Sequence, residues 1–438
     1  MEKDLKNLWP HTAGRNPEEE TEKEQPLINA QSNQLRVSYA HALFGEEERN
    51  AVMEVLKSSQ IVAGKNAAEF ENKIAALFGK KYGIFVNSGS SANLLALESL
   101  NLPKGSEVIT PILTFSTTVA PIIKLGLIPA FVDVDPHTYL MDVDQVEAMI
   151  NSNTKAIMVP SLFGNIPDLP YLREIAKKHN LFLIEDSCDT LGATIGSKST
   201  GEYSDVSTTS FYATHIITAA GEGGMVCTND EQQARKIRIL SGWGRQSSLN
   251  ETEDIDVRLK GELDGQPYDS KFIFSEIGYN MRTTDIPAAF GLVQLKKLPD
   301  FIATRRKNFK DLVDYLAKYP EFFILPNSDL PHSHTNIQTA WMSLPVTLTA
   351  EAPFSRNDII RHLELQNIQT RPVFTGNITR HPGFKNIPCV KSEKGYPNAD
   401  YIMDNGFVFG CHHALTQEHI DHIKNSFESF LVKYKIIN

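Results

Sequence analysis

Short apolar strands alternate with helical segments through the first half of the chain, and this alternation constrains the fold more than any other feature. Strands are predicted where β-branched and apolar residues cluster, and helices where apolar residues recur every three to four positions. The predicted strands are 82–86, 106–110, 129–134, 155–159 and 181–185, and the predicted helices between them are 92–100, 116–125, 143–151 and 171–179. This pattern predicts an α/β fold with a mainly parallel sheet, in which ligands bind at the carboxyl ends of the strands.

The rest of the chain suggests three parts. Residues 1–36 are polar and predict a tail, either solvated or packed as an arm on a partner subunit. Residues 37–300 are expected to form the large domain, which includes a long polar loop at 246–270. Residues 301–438 are expected to form a smaller α+β domain.

Charge and cysteine usage narrow the function classes. A formal net charge of −10 gives no electrostatic support for binding nucleic acid or an anionic membrane. No apolar run approaches the ~18 residues of a transmembrane helix. The four scattered cysteines do not suggest a disulfide framework, and no histidine spacing suggests a zinc site. We therefore expect a cytoplasmic enzyme with a small-molecule substrate and no metal.

Two segments carry the chemistry. Residues 207–227 read STTSFYATHIITAAGEGGMVC, which predicts two strands and a connecting loop that places one basic side chain, His215, at the sheet edge. Residues 87–91 read NSGSS between a predicted strand and helix, which is an arrangement that binds anions at the helix N-terminus. Serines at such a position are equally explained as helix N-caps.

These segments resemble the DegT/DnrJ/EryC1/StrS family of sugar aminotransferases, from about residue 37 to near the end of the chain. The matching stretches are VNSGSSANLLAL, TPILTFSTT, IEDSCDTLGA, TSFYATH with GEGG, SGWGR, GYNMRTTDIPAAFGLVQL and TRPVFTGNITRHPGF. The resemblance implies the type I aminotransferase fold, pyridoxal 5'-phosphate or pyridoxamine 5'-phosphate as cofactor, and a homodimer with shared active sites.

The resemblance also implies which residues hold the cofactor: Gly89, Ser90, Ser91, Phe115, Asp186, Asp189, Ser210 and Asn280. The serines would hold the phosphate, Phe115 would stack on the ring, and Asp186 would pair with the ring nitrogen. Asp189 would bind the ring hydroxyl, and Asn280 would reach the phosphate held by the neighbouring subunit. Taken alone, Asp186 is better explained as a helix N-cap or a surface carboxylate, so its assignment depends on the ordered set of residues.

One exchange distinguishes this chain within the family. The family binds its cofactor covalently through a lysine at the position of His215. Histidine cannot form that bond, but its ordinary pKa of about 6.5 suits a general base. The histidine resembles that of the 3-dehydratases, which remove the carbon 3 hydroxyl of nucleotide-linked 4-keto-6-deoxyhexoses during deoxysugar synthesis for surface glycans such as lipopolysaccharide.

Two types of such dehydratase are known, and the cysteines separate them. The CDP-sugar type holds a [2Fe–2S] cluster with the pattern C-x57-C-x-C-x7-C and needs a reductase. Cys188 matches the first position, but Gln246, Ser248 and Asp256 occupy the others. Because such clusters are held by thiolates, no iron–sulfur cluster is expected. The GDP-sugar type needs no cluster, and the resemblance then implies L-glutamate as the amino donor.

Substrate contacts are implied for a stretch near the C-terminal end: Arg371, Phe374, Asn377 and Arg380. Arginine binds both phosphate and carboxylate groups in a bidentate manner, although each arginine is also explained as a surface or domain-interface residue. Three alternatives to the dehydratase stay open. They are an aminotransferase that works without its lysine, a relic that binds cofactor without turnover, and a partner subunit that completes a related enzyme.

Overall fold

A seven-stranded sheet forms the centre of the protein. The structure is a computed structural model that describes residues 35–249 and 254–436, so most of the predicted tail lies outside the described residues. In chain order the strands of this sheet are β1 (Tyr82–Val86), β2 (Glu107–Pro111), β3 (Ile128–Val132), β4 (Thr154–Pro160), β5 (Phe182–Asp186), β8 (Val206–Ser210) and β9 (Gly224–Thr228). Their spatial order is β1-β9-β8-β5-β4-β2-β3. Because only β9 runs antiparallel to its neighbours, the predicted mainly parallel sheet is confirmed.

Both faces of this sheet are buried, as crossover helices require. Along β4, Ala156 and Met158 face one apolar core, and Ile157 and Val159 face another. The helices of this part of the chain are α1 (Glu46–Ser58), α2 (Lys65–Leu77), α3 (Gly89–Ser99), α4 (Ser116–Lys124), α5 (Leu169–Lys178) and α6 (Glu231–Ser241). The strands therefore read as continuous apolar runs in the sequence.

In two segments the predicted secondary structure is wrong. The helix predicted at 143–151 is instead two short 3₁₀ turns, Val143–Gln145 and Glu147–Met149, and the backbone becomes extended at Ile150. The polar loop predicted at 246–270 contains a short helix, α7 (Ile255–Arg258), and a hairpin of β10 (Gly261–Leu263) and β11 (Gln266–Tyr268). Asp264 and Gly265 adopt φ values of 50° and 77°. An Asp-Gly pair with positive φ is a strong hairpin signal, so the sequence contained this information.

A second, antiparallel sheet lies in the C-terminal part of the chain. Its strands, in spatial order, are β12 (Phe323–Ile324), β14 (Ser343–Leu348), β16 (Gly406–Gly410) and β15 (Thr370–Pro372). The helices around it are α8 (Asp285–Leu316), α9 (Arg356–Leu365), α10 (Pro397–Asn405) and α11 (Gln417–Lys433). A small third sheet contains β13 (Ile337–Gln338), β6 (Thr194–Ile195) and β7 (Lys198–Ser199).

The α8 helix is continuous across the expected domain boundary at residue 300. Val37 forms a parallel bridge with Ile368 and packs in the C-terminal core, although it lies at the start of the expected large domain. The domain limits stay a prediction. In the parts of the chain that the structure describes, no helix is long and apolar enough to cross a membrane.

Candidate active site

A cavity of about 420 Å³ opens at the carboxyl ends of β1, β2, β4, β5 and β8. Parallel strands bring their carboxyl ends to one edge, where α/β sheets bind ligands. Eight of the residues predicted for the site line this cavity: Gly89, Ser90, Phe115, Asp186, Asp189, Ser210, His215 and Phe374. The structure thus brings together most of the residues predicted to bind the cofactor and the candidate base.

Asp186 ends β5 and is buried at the cavity wall, with 5% of its surface exposed. Its Oδ2 accepts hydrogen bonds from Asn93 Nδ2 and Thr118 Oγ1, each at 2.8 Å. Its Oδ1 accepts one from the backbone N–H of Cys188 at 3.2 Å. These donors hold the carboxylate in one orientation, so Asp186 is neither a surface carboxylate nor a helix cap.

The turn after β1 approaches the sheet closely. A Cβ on Gly89 would lie 2.7 Å from Ser210 Cβ and 2.8 Å from Cys188 Sγ, so a larger residue does not fit there. Ser88 is the N-cap of α3, and its Oγ accepts from the backbone N–H of Ser91 at 3.1 Å. Because Ser88 performs the capping, the side chain of Ser90 is left to face the cavity at the positive end of the helix.

Two phenylalanine rings, Phe115 and Phe374, line one side of the cavity, and the buried Phe163 packs against Phe374. Phe374 stacks on Phe163 with ring centroids 4.5 Å apart and meets Phe115 edge-on at 5.8 Å. Phe374 and Phe163 have φ values of 40° and 57°, a left-handed backbone that bulky residues rarely adopt. Such strain persists where the surroundings hold it, typically at functional sites.

Asp189 lies beside Asp186 and accepts a hydrogen bond from the backbone N–H of Phe163 at 2.9 Å. The pKa of Asp189 is raised to about 7, chiefly by burial; the Phe163 hydrogen bond lowers it, and the nearby Asp186 raises it. Near neutral pH this carboxyl is therefore divided between its acid and its carboxylate forms, and the acid form can donate a hydrogen bond.

The raised pKa of Asp189 can be tested by comparing the free energy of unfolding of wild type and Asp189→Asn at different pH values. Because the folded pKa lies above the unfolded value of about 3.9, the folded state binds more protons, and stability is lost as pH rises through about 7. From about pH 5 to about pH 8, cofactor-free wild type is expected to lose roughly 2–4 kcal/mol of unfolding free energy that the variant keeps. Urea unfolding measures this, with Asp300→Asn on the exposed side of α8 as control. Equal pH dependence in wild type and Asp189→Asn would contradict the assignment.

His215 lies in the loop 211–223 between β8 and β9, as predicted. The loop is held by hydrogen bonds from His215 N–H to the Tyr212 carbonyl at 3.0 Å and from Ala213 N–H to the Gly221 carbonyl at 2.9 Å. The pKa of His215 is lowered to about 4, chiefly by burial; a hydrogen bond to the Cys188 backbone raises it, and the positive charge of Arg305 lowers it. The imidazole is thus neutral near pH 7, which is the form that accepts a proton.

Five predicted site residues lie outside the cavity lining: Ser91, Asn280, Arg371, Asn377 and Arg380. Arg371 is exposed on β15, with its guanidinium 5.8 Å from the ring of Tyr39, which does line the cavity. Asn280 is exposed and pairs with Gly242.

Asn377 and Arg380 both contact α10. Asn377 is buried and donates to Asp400 Oδ1 at 3.0 Å. Arg380 forms surface ion pairs with Asp400 at 3.4 Å and Asp404 at 3.3 Å. In this chain their side chains hold the 377–380 turn against the helix.

Sequence reasoning missed several cavity residues. Asn93 and Thr118 orient Asp186 from within α3 and α4, and a lone amide among the apolar residues ANLLAL was an available signal. Tyr39 enters the cavity from beside the predicted tail, because its backbone N–H bonds to Gln369 Oε1 at 2.9 Å. No local pattern marks Tyr39, since that contact joins distant parts of the chain.

Comparisons with known proteins agree with this geometry. A model of the DegT/DnrJ/EryC1/StrS aminotransferase family matches residues 43–428. The dTDP-4-dehydro-2,6-dideoxy-D-glucose 3-dehydratase of Saccharopolyspora spinosa is 39% identical over 424 residues, which cover 94% of this chain and 90% of that protein. The GDP-perosamine synthase of Caulobacter vibrioides is 32% identical over 399 residues, which cover 91% of this chain and 99% of that protein.

A solved structure extends the match to three dimensions. The E. coli GDP-4-keto-6-deoxy-D-mannose-3-dehydratase with bound hydrated pyridoxal phosphate is similar with a TM-score of 0.81 and 27% identity. The match covers 90% of this chain and 99% of that one. The predicted type I aminotransferase-like fold is therefore confirmed, and this chain belongs to the DegT/DnrJ/EryC1/StrS aminotransferase family.

Proposed function

We propose that this protein is a pyridoxal/pyridoxamine phosphate-dependent 3-dehydratase of a nucleotide-linked 4-keto-6-deoxyhexose, with His215 as the base. The observation that carries the proposal is the composition of the cavity wall. His215 lies on the loop between β8 and β9, and no lysine lines the cavity in the described part of the chain. A neutral imidazole can take a proton, but it cannot anchor the cofactor covalently.

The cavity residues fit the cofactor. Gly89 lets the start of α3 pack closely against Ser210 and Cys188, and there Ser90 and Ser210 offer hydroxyl groups to a phosphate. The buried Asp186, fixed by its donors, suits a protonated ring nitrogen, and Phe115 offers an aromatic face. When bound, pyridoxamine phosphate would supply an amino group and a conjugated ring that accepts an electron pair.

The roles of the chain's own residues follow. His215 takes a proton at an imidazole nitrogen and keeps it close to the reacting atoms. Asp189, with a pKa near 7, donates or accepts at the ring hydroxyl according to its protonation. Phe115 and Phe374 give that side of the cavity an aromatic, apolar surface. The overall result is loss of the carbon 3 hydroxyl.

The proposal includes L-glutamate as the amino donor and a homodimer with shared sites. The oxygen that the sugar loses is balanced by conversion of glutamate to 2-oxoglutarate and ammonia. Asn280 is exposed and lies outside the cavity of its own subunit, which suits a role toward the cofactor of a neighbouring subunit. Arg371 is proposed to meet the substrate from beside Tyr39. We propose that the product sugar is a precursor of a surface glycan.

We also propose that the reaction proceeds without an iron–sulfur cluster. Cys188 lines the cavity, and the other positions of the cluster pattern hold Gln246, Ser248 and Asp256. Ser248 Oγ donates to the Gly242 carbonyl at 3.0 Å, which is a structural contact within the chain.

Transamination to an amino sugar is the second candidate. It is favoured by the similarity to a GDP-perosamine synthase and by the family to which the chain belongs. The products of the two reactions differ in mass. The 3-dehydratase reaction removes one oxygen from the sugar overall, whereas transamination replaces the keto oxygen with an amino group.

The test is a mass-spectrometric assay. The pure protein is incubated with pyridoxal phosphate, L-glutamate and GDP-, CDP-, UDP- and dTDP-linked 4-keto-6-deoxy sugars, without a reductase. We expect loss of one oxygen from one of the sugars, with equimolar ammonia and 2-oxoglutarate. An amino-sugar product would replace the proposal with transamination. Cofactor binding without turnover of any sugar would favour the binding-only alternatives.

A further inference from the structure

A guanidinium group is buried directly behind the candidate base. Arg305 lies on α8 and has no exposed surface. Its Nη2 donates to the backbone carbonyl of His215 at 3.2 Å, and its Nη1 donates to the carbonyls of Trp341 and Met342 at 3.0 and 3.1 Å. Its Nε donates to His413 Nδ1 at 3.0 Å. None of these four partners is a carboxylate.

This arrangement joins three segments that are far apart in sequence. His215 belongs to the loop between β8 and β9, Met342 precedes β14, and His413 follows β16. Both His215 and Met342 line the cavity. His413 is itself held by stacking on Phe301 of α8, with ring centroids 3.8 Å apart. One planar group with donors in fixed directions therefore sets the position of two cavity residues, which a lysine ammonium could not do.

A buried charge without an acidic partner is costly, so its presence calls for an explanation. Burial lowers the pKa of Arg305 only to about 10, and it therefore stays charged at neutral pH. Burial also lowers the pKa of His413 to about 2, and the charge of Arg305 acts in the same direction. His413 is thus neutral and accepts the Arg305 hydrogen bond. The charge is tolerated through carbonyl and imidazole acceptors, and its field reaches the candidate base.

We propose that Arg305 is a positioning residue for His215: its guanidinium fixes the loop 211–223 against α8 and the entry to β14. This inference rests on the proposed role of His215 as the base. Arg305 touches the His215 backbone, so its effect on the reaction passes through the loop. It also places a fixed positive charge behind the imidazole, which favours the neutral form of the base. The other ionisable or charged groups that share the cavity with His215 are Tyr39, Tyr212, Glu222, Asp186, Cys188 and Asp189.

Two substitutions separate the effect of the Arg305 charge from that of its hydrogen-bonding geometry. Arg305→Gln removes the charge and keeps two amide donors, whereas Arg305→Lys keeps the charge and loses the fork. Arg306→Gln is the matched control. Arg306 is the next residue on the same helix, but its guanidinium is exposed and donates to Gln338 Oε1 at 3.3 Å. In both Arg305 variants, hydrogen exchange of the peptide 211–223 is expected to be faster, while exchange of the β4 peptide is unchanged. Turnover is expected to fall by about 100-fold, because small displacements of a catalytic group have effects of that size.

The ring of His215 provides a readout that does not depend on turnover. In ¹⁵N-labelled protein, with its signals assigned by their loss in His215→Asn, the pKa of His215 is expected to rise in Arg305→Gln but to stay below its ordinary value of about 6.5, because burial is the main cause of the low value. It is expected to stay low in Arg305→Lys. Folded variants with unchanged loop exchange and unchanged His215 titration would overturn the proposal. If Arg305→Gln does not fold, loop exchange and turnover in Arg305→Lys decide it. If wild type shows no dehydration, the proposed function fails, while exchange and titration still decide the role of Arg305.

Discussion

Replacing His215 with asparagine is expected to lower turnover of the nucleotide sugar by about 10²- to 10⁴-fold, the usual contribution of a general base. Asparagine is similar in size to histidine, but its amide cannot take a proton near neutral pH. The native imidazole is neutral there, because burial lowers its pKa to about 4. Cofactor affinity is expected to stay close to that of wild type, since the cofactor contacts are assigned to Asp186, Ser90 and Ser210.

The measurement combines steady-state turnover with a spectrophotometric titration of pyridoxal phosphate. His179→Asn is the matched control, because that histidine follows α5 and bonds to Glu147 at 2.7 Å, away from the cavity lining. Full activity in His215→Asn would remove the histidine from the base role. Loss of cofactor binding together with turnover would instead assign His215 to the cofactor site.

The second large effect is expected at Asp186. Asp186→Asn keeps the shape of the side chain but removes the buried negative charge that is proposed to pair with the cofactor ring nitrogen. Loss of one partner from a buried charge pair costs about 2–5 kcal/mol, which corresponds to roughly 30- to several-thousand-fold weaker binding. Equilibrium dialysis with pyridoxal phosphate and with pyridoxamine phosphate measures this change.

Asp133 offers a close control for that experiment. It follows β3, is 1% exposed, and accepts hydrogen bonds from the backbone N–H groups of Asn398 and Ala399, each at 2.9 Å. It is thus a buried carboxylate after a parallel strand, like Asp186, but it does not line the cavity. Asp133→Asn is expected to lower stability and leave cofactor affinity unchanged. Equal affinity in wild type and Asp186→Asn would show that the carboxylate does not face the cofactor.

Prediction from sequence succeeded best where a feature is local. Apolar runs and turns located β1 to β5, because each strand is specified by its own residues and by burial on both faces. The helix predicted at 143–151 is wrong, because the apolar periodicity there spans only a short segment; the structure has two 3₁₀ turns and an extended backbone at Ile150. The hairpin at Asp264-Gly265 is also specified locally, by an Asp-Gly pair with positive φ values.

In the candidate site, too, the features that depend on local sequence were predicted, and those that depend on contacts between distant segments were not. Asp186 ends a strand, and Ser90 and His215 lie in the segments that follow β1 and β8; because strands collect their carboxyl ends at one edge, the fold class alone predicted that these residues converge. Asn377 and Arg380 were placed in the site by resemblance alone. In the structure both side chains bond to residues of α10, and neither lines the cavity.

By itself, the sequence determined the α/β fold, the family and the histidine that stands where the family has a lysine, because these depend on residue order and local spacing. Only the tertiary structure decided how that histidine is held. Arg305 lies 90 residues beyond His215 and meets it through a carbonyl, while Tyr39 reaches the cavity through Gln369, 330 residues away. Such contacts leave no periodic pattern in the chain, since they arise when separately specified elements pack together and close the buried space between them.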